Sequence, residues 1–268
     1  MIDSPYLVQP GKKLKLAKCD THDKGDFDDR DDAEGDCQKN LARLAELQEV
    51  LYAESKRSLL VVFQAMDAGG KDGSIRHIFS GVNPQGCAVT SFKSPSTLER
   101  SHDFLWRIHQ HVPPRGMIGI FNRSHYEDVL IVRVHNLVPR EVWSKRFDHI
   151  NNFERMLADE GVTILKFFLH ISKEEQKQRL QARLDEGEKH WKFNVEDLAE
   201  RKLWDDYMNA FEDALEKTST KWGPWYVVPS DRKWFRNWVI SDTIVRALKE
   251  MNLKFPKPQE GLDTVKIV

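Results

Sequence analysis

The sequence predicts an α/β fold in which a parallel five-stranded sheet is flanked by helices, and three observations predict it. Five strand-sized apolar runs punctuate the chain, helix-start patterns lie between them, and the runs are mostly continuously apolar, as strands covered on both faces are. The 268 residues are 40% hydrophobic and 10% aromatic, enough for a packed core. Single cores stop growing at roughly 250–300 residues, so one large domain with an appendage is expected.

In chain order, the first element is acidic. Residues 19–37 hold nine acids against Lys24 and Arg30. No frame of this run places glycine at the sixth and glutamate at the twelfth position of a calcium loop, so residues 1–37 read as a solvated acidic lead-in. Leu41, Leu44, Ala45, Leu47, Val50 and Leu51 recur at helical spacing and predict an amphipathic helix over 38–56. Strands are expected at 58–65, 86–92, 117–121, 162–171 and 224–229, each rich in Val, Ile or Phe and bounded by turn residues. Helix starts are expected at Ser96 with Glu99, at Ser172 with Glu175 and, more weakly, at Asn194 with Asp197. Trp204, Tyr207 and Phe211 read as the core face of a helix. The domain then spans 38–255, and 256–268 is a loosely held tail.

Composition excludes several classes. With 41 basic and 42 acidic residues the net charge is −1, which argues against a nucleic-acid-coating protein. Mean hydropathy is −0.59, and no run approaches the roughly 20 apolar residues of a spanning helix, so no membrane partner is expected. Cys19, Cys37 and Cys87 form no CxxC pair. Together with an N-terminus lacking a secretory apolar segment, this suits the cytoplasm. His109 and His111 alternate in a predicted helix and face different sides, so they make no metal site.

The sharpest feature is SLLVVFQAMDAGGKDGSIRHIF (58–79), a strand running through a glycine-rich turn and a lysine into a helix. Amides freed at Gly69, Gly70 and Gly73, with the positive end of the helix, suit phosphate oxygens, and Lys71 adds a point charge. Against G-x-x-x-x-G-K-[ST], Ala65 replaces the first glycine and Asp72 replaces the hydroxyl that holds magnesium. The third strand ends in Asn122-Arg123, where such enzymes commonly place a magnesium-holding Asp. Metal binding is therefore expected inside the loop, at Asp67 and Asp72, although Asp67 also suits capping a turn. Arg123 lies just past a central strand, where ligands of open α/β sheets bind. Its guanidinium suits a transferring phosphoryl group, an ion pair to Asp67 or Asp128, or both.

At these residues the sequence resembles the polyphosphate kinase 2 family. The resemblance rests on FQAMDAGGKDGSIRHIFSGVNPQG (63–86), SFKSPS (91–96), FNRSHYEDVLIVRVH (121–135) and RLDEGEKHWKFNVEDLAERKLWDDYMNAF (183–211). It implies a P-loop kinase-like fold with a helical lid, dependence on magnesium or manganese, and phosphoryl transfer between inorganic polyphosphate and nucleotides. It assigns catalytic roles to Asp67, Lys71, Asp72 and Arg123. The ending Tyr126-Glu127-Asp128 is similar to class III members, which phosphorylate AMP and ADP. Glu127 carries that class reading and has a surface salt bridge as its plain alternative. Relatives also imply a homodimer or homotetramer, with ATP and guanine nucleotides among the partners.

A polyphosphate donor needs a cationic track. Residues 71–155 carry twelve basic against eight acidic side chains, with Arg76, Lys93 and Arg100 the best candidates. The segment 183–194 resembles a kinase lid in which Arg183 or Lys189 neutralises the transferring group, Lys192 adds charge, and Trp191 either stacks on a base or anchors the lid. Asn122 and Glu127 complete the nucleotide side. Two rivals share the loop: an ATP-dependent nucleoside monophosphate kinase, and a nucleotide-binding regulatory protein without chemistry.

Overall fold

A computed structural model describes residues 1–262, 265 and 267. Residues 263, 264, 266 and 268 of the expected tail lie outside the described residues.

The five strands are β1 (Ser58–Gln64), β2 (Cys87–Ser91), β3 (Ile118–Asn122), β4 (Val162–His170) and β5 (Trp225–Pro229). They pair in parallel in the order β2-β3-β1-β4-β5. The order reverses at β1, and the crevice outside its carboxyl end is where an open α/β sheet binds ligands. Successive β1 side chains point to opposite faces. Leu59, Val61 and Phe63 enter a core with α1 (Arg30–Glu54), α2 (Lys71–Ile78) and α11 (Lys233–Glu250). Leu60 and Val62 enter a second core with α7 (Arg146–Asp159) and α10 (Trp204–Thr218), where Trp204, Tyr207 and Phe211 are buried as expected. Shorter helices fill the connections: α3 (Thr97–Arg100), α4 (Trp106–His109), α5 (Ile131–Val134), α6 (Arg140–Trp143) and α9 (Glu196–Lys202). The longer α8 (Lys173–Asp185) follows β4.

Three local expectations differ in informative ways. The first helix begins at Arg30, not residue 38, because Asp29 accepts the amides of Asp31 and Asp32 and the acids of the first turn suit the positive helix end. The acidic run is therefore partly helix. Upstream of it, Ile2, Leu7, Val8 and Leu16 are buried. Val8 donates to the Trp225 carbonyl at 2.9 Å and Val227 to that of Tyr6 at 2.8 Å. This strap covers the open edge of β5, which a solvated lead-in would leave exposed. Strand β2 is not covered on both faces; it is the opposite edge, and Val89 is 55% exposed.

The helix starts show how tertiary contacts revise local rules. Ser96 and Glu99 form a reciprocal capping box on α3. Ser172 caps α8, but its own amide goes to Asp231 at 2.8 Å and Glu175 turns to Arg179 at 2.7 Å. Helix α9 begins at Glu196, whose amide Asn194 accepts at 3.1 Å, so the start lies later than the sequence pattern implies.

Candidate active site

The turn after β1 is shaped by its glycines. A Cβ on Gly69 would lie 2.5 Å from that of Ala65 and 2.8 Å from the Met66 carbonyl oxygen, so the tight bend needs glycine. Gly70 takes a φ of 103° and opens α2. Ala65 is tolerated at the usual first glycine because Gly69, facing it, carries no side chain. Lys71 folds back to donate to the Ala65 carbonyl at 3.0 Å and is 9% exposed. Burial pulls its ammonium below the ordinary lysine value, Arg123 adds to this, and Asp67, Glu127 and Asp72 oppose it.

The missing third-strand acid has a structural counterpart. Asn122, at the end of β3, donates its amide to Asp72 at 2.6 Å across the crevice. The carboxylate therefore comes from the helix and the neutral partner from the strand. Arg123 follows with a left-handed φ of 61° and donates to Asp67 at 2.9 Å. Burial would lower the Arg123 pKa, but the carboxylates of Glu127 and Asp67 hold it above its ordinary value. Ala68 is also left-handed, at 60°. Non-glycine residues in this region cost about 1–3 kcal/mol each and cluster at functional sites.

These groups open into one cleft of about 980 Å³. Of the residues expected from sequence, Asp67, Gly69, Gly70, Lys71, Asp72, Gly73, Arg76, Lys93, Asn122, Arg123, Arg183, Lys189, Trp191 and Lys192 line it. Two do not. Arg100 sits on the one-turn α3 and spends its guanidinium on the Pro95 carbonyl, at 2.9 Å. Glu127 lies in the turn after β3 and acts on Arg123 and Lys71 from outside the cleft wall. In the lid, Arg183 donates to the Lys192 carbonyl at 3.0 Å and to Asp197 at 3.1 Å, and Lys189 pairs with Glu186. Trp191 is 79% exposed at the cleft, with the Lys192 ammonium 4.9 Å from its ring centroid.

Three cations of this wall escape the sequence reading. Arg179 of α8 grips the loop through the carbonyls of Ala68 and Gly69, at 3.1 and 3.2 Å, while Gln176 holds that of Asp67 at 2.9 Å. Arg236 of α11 lies so close to the loop that a Cβ on Gly70 would fall 2.0 Å from its Nη1. It is 3% exposed, and its side chain bonds to the Asn237 amide oxygen at 3.0 and 3.2 Å. Among the described residues no carboxylate pairs with it, and burial together with Arg179 pushes its pKa down to about 9. Lys233 is likewise lowered by burial, then by Arg179 and Arg236. The only local sign was the basic run Arg232, Lys233 and Arg236 just past the fifth strand.

The donor set suits a hard divalent cation. Asp67 and Asp72 supply carboxylate oxygens, and among the described residues no group of three or more His, Cys, Asp or Glu is gathered for a metal. Magnesium is commonly held by one or two carboxylates, with substrate phosphates completing its shell.

A family model described as polyphosphate kinase 2 matches residues 26–256. The chain is 53% identical over 263 residues to an AMP/ADP-polyphosphate phosphotransferase of Meiothermus ruber, covering 98% of each. It is 45% identical to an ADP-polyphosphate phosphotransferase of Rhodopseudomonas palustris, covering 94% of this chain and 91% of that one. The crystal structure of a polyphosphate kinase 2 from Arthrobacter aurescens superposes with a TM-score of 0.93 at 44% identity, over 97% of this chain and 93% of that one.

Proposed function

The chain belongs to the polyphosphate kinase 2 family, and from that premise we propose that it transfers phosphoryl groups from inorganic polyphosphate to AMP and ADP, giving ADP and ATP. It is a phosphotransferase, and the carboxylates of Asp67 and Asp72 in the cleft support a divalent metal as its cofactor. The observation that carries the donor assignment is the buried Arg236, which among the described residues has no carboxylate partner and stands beside Lys233 and Arg179. An uncompensated buried cation is costly, and a polyanion laid against it relieves the cost.

In this reading a phosphate oxygen of the nucleotide attacks the terminal phosphorus of the chain. The bridging bond behind that phosphorus breaks, and the leaving polyphosphate is one unit shorter. Loop amides, Lys71 and Arg123 stabilise charge on the transferring group, while Arg183 or Lys189 closes from the lid and excludes water. Asp72 would hold magnesium or manganese, which supplies charge neutralisation on the phosphate oxygens when bound. Asp67 either shares in holding it or orients the attacking phosphate through its hold on Arg123. The AMP-accepting class rests on Glu127, whose charge acts on both Arg123 and Lys71. We place the protein in the cytoplasm as a homodimer or homotetramer, accepting guanine as well as adenine nucleotides. Among the described residues no helix is long and apolar enough to cross a membrane.

Purified protein given polyphosphate and AMP without ATP should form ADP and then ATP. Absence of both products would favour an ATP-dependent monophosphate kinase, and binding without any turnover would favour a regulatory protein. Replacing Arg236 by Met should raise KM for polyphosphate about tenfold, since a charged hydrogen-bond partner is worth roughly 1.5–3 kcal/mol, while KM for AMP stays within twofold. An equal rise in both would separate Arg236 from the donor. Glu127→Ala should lower AMP turnover about fivefold more than ADP turnover, a difference of about 1 kcal/mol. An unchanged ratio would remove the class assignment.

A further inference from the structure

Directly beyond Arg123 lies a set of charged side chains that the chemistry above does not use. Lys166 is the single charged residue of β4, is fully buried, and points into the second core rather than the cleft. Its ammonium donates to Glu154 at 2.5 Å, to the Tyr126 hydroxyl at 2.7 Å and to the Thr218 carbonyl at 2.8 Å. Tyr126 donates in turn to the other Glu154 oxygen at 2.8 Å, and His125 contacts that same oxygen at 3.2 Å. The set joins α7, β4 and the end of α10 to the turn after β3. It is crowded: a Cβ on Gly223 would fall 2.7 Å from Glu154.

Stability alone does not explain this arrangement, because buried ion pairs are often no better than apolar side chains of the same volume. What adjoins it is the left-handed Arg123. A strained residue persists only where its surroundings over-determine it, and Arg123 is clamped on both sides. Its amide donates to the Phe63 carbonyl at 3.1 Å. Ser124, fully buried, caps the following turn by accepting the Tyr126 amide at 3.2 Å, and the Tyr126 ring packs on Trp225 at 4.7 Å between centroids.

We propose that Lys166, Glu154 and Tyr126 form a positioning network that holds the turn after β3 so that Arg123 projects into the cleft toward Asp67. The network acts through Arg123 and touches no substrate. The proposal rests on the phosphoryl-transfer reading of the cleft. The donor is held by loop amides and by cations of α8 and α11, none of which the network contacts, so its loss falls on turnover rather than on donor binding.

A double-mutant cycle tests this. Tyr126→Phe keeps the ring and removes the shared hydroxyl. In the otherwise wild-type protein it should lower kcat about tenfold with KM for polyphosphate within twofold; in the Arg123→Gly background it should lower kcat less than twofold. Unchanged kcat in the first background, or the full loss repeated in the second, overturns the network. If Tyr126→Phe does not fold, the paired apolar replacement Lys166→Met with Glu154→Leu takes its place, with the same two outcomes. Amide hydrogen exchange separates this proposal from the reading beneath it. Should the wild-type protein not turn over polyphosphate, faster exchange of the Arg123 amide in Tyr126→Phe still supports the network, and unchanged exchange overturns it.

Discussion

Lys71→Met is expected to lower kcat for ADP formation from polyphosphate and AMP about a thousandfold, and at the same time to leave the melting temperature unchanged or slightly raised. The first half follows from position. Lys71 starts α2 and lines the cleft, and in the proposed reaction its charge would meet phosphate oxygens in a site of low dielectric. Removing one such donor from a transition state costs about 2.7–4 kcal/mol, or a hundred- to thousandfold. The second half follows from its surroundings. Burial, with Arg123 nearby, holds the Lys71 pKa below its ordinary value. A base whose pKa is lowered by folding is kept charged at neutral pH at the fold's expense, so an apolar side chain of similar length relieves that cost. Steady-state kinetics and a thermal melt on the same sample check both halves. Near-wild-type turnover would remove the loop assignment, and a large drop in melting temperature would make Lys71 a structural residue.

Arg123→Gly and Arg123→Ala should both lower kcat about a thousandfold, because each removes a planar guanidinium from the end of β3 and frees Asp67 from its 2.9 Å partner. They should differ in stability. Glycine adopts a φ of 61° without penalty, whereas alanine retains the steric cost of the left-handed region, about 1–2 kcal/mol. Denaturant unfolding should therefore place Arg123→Gly above Arg123→Ala by about 1 kcal/mol, while the two share one kinetic defect. Equal stability would mean that the strain is not borne at this residue. A defect confined to KM would mean that Arg123 binds the substrate in its ground state and gives no extra hold on the transition state.

Much of the fold was legible because its signals are local. Each expected strand lies within one residue of the observed bounds, since runs such as SLLVVFQ and VTILKFFLH are bounded by turn residues and buried nearly end to end. The loop glycines were legible for the same reason. Arg100 misled because a basic residue on a short surface helix reads like one in a channel until the helix is oriented. Arg179, Lys233 and Arg236 could not be found from spacing: they come from α8 and α11, more than a hundred residues after the loop they surround. The acidic N-terminal run misled differently. Its charge suggested solvent, but Asp29 and the acids after it are spent on starting a helix, and the apolar residues upstream cap a sheet edge.

By itself the amino-acid order determined the alternation of strands and helices and the glycine turn with Lys71, because each depends on periodicity or on residues beside a strand end; it left the partner of Arg123 open between Asp67 and Asp128, and the structure pairs Arg123 with Asp67 and Asp128 with Arg146. Only the tertiary structure decided which cations face the cleft, that Asn122 stands against Asp72, and that Lys166, Glu154 and Tyr126 meet behind Arg123. Those relations depend on the order β2-β3-β1-β4-β5 and on how helices pack over it. Packing of that kind brings together residues whose separation along the chain carries no signal of their contact.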